Sequence, residues 1–338
     1  MKTCLDIEQT GDLIEYLRQR GLFDQGDECN AVILRGGVSN KTVIVKGPRR
    51  SIVVKQALTK LRVATDWHAD PARIEREAIG LRLLERLAPG GAITPFVFED
   101  ISLFLLGMEA VPDPHENWKT VLLRGEIIDD AVHQFGALLG RIHFQGAKLD
   151  KEARSPVQDR RFFEELRVDP YYRFAARNNP GTEEFYGQLI SDMKATSMTV
   201  VHGDFSPKNI LVYQGRLVLL DHEVIHWGDP TFDLGFALTH LLSKANHLQS
   251  HRNLFLQAAE MFWKSYLAEL GSWGVEHDFE SRACRQTLAC LLARIDGRSP
   301  LEYLRPGERV AQRQAALELM PKPPVHVKDL IREFGSRI

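Results

Sequence analysis

The stretch Val200-Val201-His202-Gly203-Asp204-Phe205-Ser206-Pro207-Lys208-Asn209-Ile210-Leu211-Val212 constrains this chain more than any other, because it sets polar side chains at fixed intervals in an apolar, β-branched context. Two short β-branched segments, 209 to 213 and 216 to 221, flank Gln214-Gly215 and read as a hairpin. Its open end would hold Asn209 and Asp221 near one another, with Asp204 on the loop before it. These are the residue types that phosphoryl transfer needs: a carboxylate that receives or orients the proton of an acceptor hydroxyl, and oxygen ligands that hold magnesium on nucleotide phosphates.

In protein kinases the catalytic Asp and the metal-binding Asn stand five residues apart, and the second metal-binding Asp comes a hairpin later. Asp204 and Asn209 keep that interval, and a hairpin follows. With these residues the chain resembles the aminoglycoside phosphotransferase and choline kinase-like enzymes, whose loop has Gly where protein kinases have Arg. His202-Gly203-Asp204 matches that form, and Gly228-Asp229-Pro230-Thr231-Phe232-Asp233-Leu234-Gly235 is similar to the family's segment after the metal-binding Asp. The resemblance implies Asp204 as catalytic base or orienter, Asn209 and Asp221 as Mg2+ ligands, and Asp233 as a brace for the catalytic loop. By its own pattern Asp233 precedes the stripe Leu234, Ala237, Leu238, Leu241, Leu242 and reads as an N-cap. Glu223 reads either as a further metal ligand or as a solvated loop residue, and His202 as a structural histidine.

Upstream, residues 5 to 20 read as a short leading helix stopped at Gly21. Ala31-Val32-Ile33-Leu34, Thr42-Val43-Ile44-Val45 and Ser51-Ile52-Val53-Val54 then read as an antiparallel meander. The first separator, Gly36-Gly37-Val38-Ser39-Asn40, can bring backbone N–H groups close to a phosphate, and Lys55 at the end of the third strand supplies a point charge. Kinase-like folds pair that lysine with a glutamate on the next helix. From Asp70-Pro71 onward Ile74, Ala78, Leu81, Leu84 and Leu87 form an apolar stripe. Of the acidic candidates Glu75 and Glu77, Glu77 best matches the family pattern; a solvated helix-face glutamate is the alternative. Phe96-Val97-Phe98 and Leu103–Met108 read as two more strands, and Glu109-Ala110-Val111-Pro112 as the crossing between lobes, whose backbone groups would read a base. The expected boundary near residue 110 divides a nucleotide-binding lobe, 1–110, from a catalytic and substrate-binding helical lobe, 111–338.

The second lobe opens with the stripe Val132, Phe135, Leu138, Leu139, Ile142, ending near Gly146, with His143 as a structural residue on it. Residues 155 to 185 are less regular, and their aromatic and basic side chains read as clasping the helical lobe in preference to walling a substrate. Helical stripes return at 252 to 270, 280 to 296 and 307 to 320. Val53-Val54-Lys55-Gln56-Ala57, Leu61-Arg62-Val63 and Arg73-Ile74-Glu75-Arg76-Glu77-Ala78 are similar to the lysine strand and following helix of methylthioribose kinases. Those enzymes usually lack Asn at the position of Asn209, carry Pro where His222 stands, and have a twin arginine where this chain reads Ala293-Arg294.

With 338 residues, 44% hydrophobic and 26% charged, the chain can build a sizeable core. A net charge of −2 gives no basic field for a nucleic acid. Four Cys without paired spacing point to reduced thiols, and no run is long enough to span a membrane; a cytoplasmic protein is expected. Only eleven residues separate Asp221 from Asp233, too few for a phosphorylated activation segment, and no Ala-Pro-Glu follows. The expectation is an α+β, protein kinase-like two-lobed fold with an antiparallel N-lobe sheet and a mostly helical C-lobe. It would use ATP and Mg2+ to phosphorylate a hydroxyl of a small aminoglycoside-, sugar- or amino-alcohol-like acceptor. An idle nucleotide- or ligand-binding module of the same fold is the alternative, and homodimer formation is left open.

Overall fold

The computed structural model describes residues 5–35, 37–62, 67–276 and 278–338. The chain opens with α1 (Thr10–Gln19), followed by β1 (Asn30–Leu34), β2 (Asn40–Lys46) and β3 (Ser51–Ala57). After α2 (Arg73–Leu87), β4 (Phe96–Asp100) and β5 (Leu105–Glu109) complete a five-stranded antiparallel sheet of order β1-β2-β3-β5-β4. Alternation along β3 sends Ile52, Val54 and Gln56 to one face, where Val43, Val45, Phe98 and Leu105 close a small core with Leu13 and Leu17 of α1. Val53 and Lys55 consequently face the cleft. The apolar stripe of α2 is buried throughout and belongs to a larger core that continues into the helical part of the molecule.

β6 (Glu116–Asn117) leads into α3 (Trp118–Leu123) and α4 (Asp129–Gly146). The sequence pattern did not reveal α3, because a six-residue helix is too short to display a period; Asn117 caps it through the Lys119 N–H at 3.1 Å, and Trp118 anchors it in the core. The irregular region resolves into short helices around a π-helical stretch, Glu164–Arg173. Pro170 lies inside that stretch and has no N–H with which to close an α-helical turn. Next come α5 (Glu183–Ala195), β7 (Thr199–Val201), β8 (Ile210–Tyr213), β9 (Arg216–Leu219) and β10 (His226–Gly228). The β8–β9 hairpin forms as expected: Gln214 and Gly215 have φ of 49° and 76°, the positive pair a type I′ turn requires. Helices α6 (Thr231–His247), α7 (Arg252–Leu270), α8 (Phe279–Asp296), α9 (Pro306–Leu319) and α10 (Val327–Gly335) complete the fold. Among the described residues no helix is long and apolar enough to cross a membrane.

His226 on β10 is buried, bonded through Nδ1 to the Val224 carbonyl at 3.0 Å and stacked on Phe163 at 4.1 Å. Burial outweighs that hydrogen bond and, with Arg160 nearby, holds the imidazole at about 4, below its ordinary 6.5. The folded state therefore binds fewer protons than the unfolded state in this window, so stability falls as pH drops from 6.5 toward 4, by about 1.4 kcal/mol per unit from this group. Urea unfolding across that range should give a visibly shallower pH slope for His226→Gln than for the parent; equal slopes would refute the assignment.

Candidate active site

The loop after β7 is shaped by Gly203, whose φ is +79°; a Cβ there would stand 2.8 Å from Val224 Cγ2 and 3.1 Å from the Val224 carbonyl oxygen. The N–H groups of His202 and Gly203 donate to the two carboxylate oxygens of Asp233 at 2.7 and 2.8 Å. His143 on α4 meets the same carboxylate at 3.2 Å. Burial works to raise the Asp233 carboxyl, but these partners hold it below the usual carboxylate range. Asp233 is thus the brace that the resemblance implies, yet it is not an N-cap. It lies inside the first turn of α6, whose N-cap is Pro230, and Asp229 takes the Thr231 N–H at 3.0 Å. His202 and His222 are both buried and bonded ring to ring at 3.1 Å, a packing role.

Asp204 projects from this braced loop. Its Oδ2 accepts from Asn209 Nδ2 at 2.7 Å and lies 3.0 Å from Arg167 Nη2. Asn209 Nδ2 also donates to the Asp204 carbonyl at 2.9 Å, so the amide nitrogen is committed and Oδ1, a lone-pair oxygen, is what remains to meet a ligand. The Leu220 N–H donates to the Asn209 carbonyl at 2.8 Å, tying Asn209 to the strand end that carries Asp221. Asp221 has φ +67°, a left-handed conformation uncommon for a residue with a side chain.

Across the cleft Lys55 bonds Glu77 on α2 and reaches Asp221 Oδ1 at 3.0 Å. Burial opposes the charge on Lys55, but Asp221 and Glu77 prevail and hold the ammonium above its ordinary value. Burial also works to raise Asp221, and Lys55 with Lys208 and Arg167 holds it well below the usual range. Glu77 is pushed up to about 7 by burial, with Asp221 and Glu223 adding to the effect against Lys55. Glu223 is not solvated. It is buried, and its Oε2 is shared by Arg73 Nε at 3.1 Å and Asn40 Nδ2 at 3.3 Å, which leaves only Oε1 for a metal.

Lys55, Arg167, Asp204, Asp221 and Glu223 line one cavity of about 600 Å³ together with Gly37, Val38, Ser39 and Asn40 of the glycine-bearing loop; Asn209 and Glu77 are buried and connect to it through the groups they bond, Asp204 and Lys55. Gly36, expected as part of the same loop, lies outside the described residues, as does Val63. Beside it a smaller, almost wholly apolar cavity of about 170 Å³ is bounded by Leu34, Ile44, Val53, Met108, Leu211 and Leu220. Glu109 borders this slot, but its carboxylate pairs with Arg50 and its N–H goes to the Pro95 carbonyl at 2.9 Å. The Ala110 N–H is likewise committed, to the Ser51 carbonyl at 2.9 Å. A base in the slot would therefore find its backbone donor beyond Ala110, at Val111.

The sequence model described as "Phosphotransferase enzyme family" matches residues 30–267, more than half of the chain. The chain belongs to that family. Over 270 residues it is 28% identical to a methylthioribose kinase of Pectobacterium atrosepticum, an alignment that covers 68% of this chain and 64% of that enzyme. The chain thus spans less than two thirds of the length of the curated relatives it matches. Among solved structures, choline kinase LicA from Streptococcus pneumoniae superposes with a TM-score of 0.54 at 16% identity, over 93% of this chain and 99% of that one. Amicoumacin kinase hAmiN superposes with a TM-score of 0.59 at 14% identity, over 97% and 99%. At such identities the likeness is one of fold, and the α+β, two-lobed kinase-like architecture is the one observed.

Two residues of this family member escaped the sequence reading. Arg167 emerges from the π-helical stretch, where no period marks an inward face, and also donates to the Gly203 carbonyl at 2.9 Å. Arg73 is fully buried, and besides Glu223 it donates to the carbonyls of Leu58 at 2.9 Å and Ser39. Its signal was present: Arg73 precedes Glu77 by four positions and so shares its helix face. Removing one partner of a buried ion pair leaves an uncompensated charge worth about 3–5 kcal/mol. Arg73→Met is accordingly expected to destabilise the fold by that order, and Arg73→Met with Glu223→Gln by clearly less than the sum of the single changes. Strict additivity in urea unfolding would show that the pair is not coupled.

Proposed function

We propose that the chain is an ATP-dependent small-molecule kinase that transfers the γ-phosphoryl group to a hydroxyl of a diffusible acceptor. The observation that carries this reading is the convergence of Asp204, Asp221 and Lys55 on one cavity that adjoins an apolar, base-sized slot, with Asn209 bonded to Asp204 and Glu77 to Lys55 behind them. In the transfer, the acceptor oxygen forms a bond to the γ-phosphorus, the bond from that phosphorus to the β–γ bridging oxygen breaks, and ADP leaves with its electron pair. The hydroxyl proton passes to Asp204, which Arg167 and Asn209 hold as an aimed carboxylate. Lys55, fixed by Glu77, clamps the phosphates, and residues 37–40 cover them.

The residues fit a magnesium ion. Lys55 and Arg73 are gathered under cover with three carboxylates, Glu77, Asp221 and Glu223. Asp221 and Asn209 offer hard oxygens, and magnesium characteristically takes one or two carboxylates plus substrate phosphates, without needing an all-protein cage. Bound there, the ion would neutralise charge developing on the phosphates. Use of ATP as donor fits a cytoplasmic enzyme.

The test is magnesium-dependent ATP consumption by the purified chain across cationic, neutral and anionic hydroxy compounds, methylthioribose included. One acceptor should stimulate turnover, and Asp204→Ala should lower it by about two to four orders of magnitude. Nucleotide binding with no stimulating acceptor would favour an idle binding module; absence of nucleotide binding would sink both.

A further inference from the structure

The end of the main cavity away from the glycine-bearing loop is lined by Lys119, Arg294, His240, Tyr171 and Ser299. Behind it Lys244 of α6 is fully buried, with its ammonium bonded to the His240 carbonyl at 3.2 Å. Among the described residues no carboxylate forms an ion pair with it. The ammonium groups of Lys119 and Lys244 lie 5.9 and 5.4 Å from the centroid of one ring, Tyr303. The carboxylate at this end, Glu302, is 66% exposed and pairs with Lys119. Arg294 is buried; its Nη1 donates to the Tyr171 hydroxyl at 3.1 Å and to the Ser299 carbonyl, while its Nε has no partner. His240 is buried with Nε2 unpartnered.

Lys119 and Arg294 therefore share this end with the solvent-facing Glu302, and the Lys244 nitrogen lies behind them, in a chain whose net charge is −2. An unpaired buried ammonium is costly to desolvate. Burial, with Lys119 and Arg294 nearby, pushes Lys244 down to about 7. The His240 carbonyl, the Tyr303 ring and the more distant Glu302 offset that cost only in part, and Arg294 Nε and His240 Nε2 are two further buried nitrogens without a partner. The group is also close to the chemistry: the guanidinium groups of Arg167, which holds Asp204, and of Arg294 lie 5.6 and 5.3 Å from the centroid of the same Tyr171 ring.

We propose that this cationic end binds an oxyanion carried by the acceptor, so that the substrate is a hydroxy acid or a phosphorylated alcohol and not a cationic aminoglycoside or amino alcohol. The proposal deepens the kinase reading of the preceding subsection and rests on it for the role of the hydroxyl. With the anion held by Arg294 and Lys119, and the buried Lys244 adding its charge from behind them, the hydroxyl of a compact acceptor is presented toward Asp204.

The test is calorimetric titration of the protein, saturated with magnesium and a non-hydrolysable ATP analogue so that the Lys55 site is filled. Four probes of similar size are used: D-glycerate, glycerol 3-phosphate, glycerol and choline. At least one anion should bind about tenfold or more tightly than both glycerol and choline, and Lys244→Met and Arg294→Met should each weaken it by about tenfold or more while the analogue's affinity is kept. The two anions distinguish a carboxylate from a phosphate recogniser. The proposal is overturned if glycerol or choline binds as well as the better anion, if neither anion binds at millimolar concentration, or if both folded variants keep the anion affinity. Failure of the analogue to bind would count against the kinase reading alone, and the same titrations on the nucleotide-free protein would still decide the anion site.

Discussion

The ion pairs around Lys55 are the constraint on which the rest of the site depends. Burying an ammonium and three carboxylates is unfavourable unless each charge is compensated, and compensation is available only if strand β3, helix α2 and the segment after β9 come together. Lys55 is supplied by the sheet, Glu77 and Arg73 by the helix, and Asp221 and Glu223 by the catalytic segment. Arg73 extends the same logic to the glycine-bearing loop, since its guanidinium also holds the Ser39 carbonyl and, through Glu223, the Asn40 amide. The glycine-bearing loop and the buried Glu223 carboxylate are thereby fixed to one another.

A second polar anchor fixes the catalytic loop from below. Asp233 collects two backbone N–H groups and His143, so the turn at Gly203 is held by charge-assisted bonds in a dry environment, where they are strong. Asp204 is thereby held both by its braced loop and by Arg167. Preorganisation of this kind suits a reaction in which positioning and charge neutralisation do most of the work.

The cavity is polarised along its length. Toward the glycine-bearing loop, buried carboxylates gather around Lys55 and Arg73; toward α3, α6 and α8 basic side chains predominate. Members of one fold can keep the first half and exchange the second, because the two are built from different elements: the sheet, α2 and the catalytic hairpin in one case, three separate helices in the other.

The sequence by itself determined the spacing of the candidate catalytic residues and the framework around them. Asp204 and Asn209 five residues apart, Gln214-Gly215 at the turn, Asp221 at the strand end and the alternation that turns Lys55 into the cleft are all short-range facts, and short-range periodicity survives in a string of letters. Only the tertiary structure decided which charges meet. Arg73 and Glu223 are 150 positions apart, Arg167 leaves a π-helical stretch with no legible face, and Lys119, Lys244 and Arg294 sit on three helices whose own patterns record burial and nothing of their neighbours. Asp233 shows the same division, since its position fits a helix start while its carboxylate is spent on a loop that lies 30 residues earlier. Local pattern records which face of an element is inside; the partner it finds there is set by the packing of elements distant in the chain.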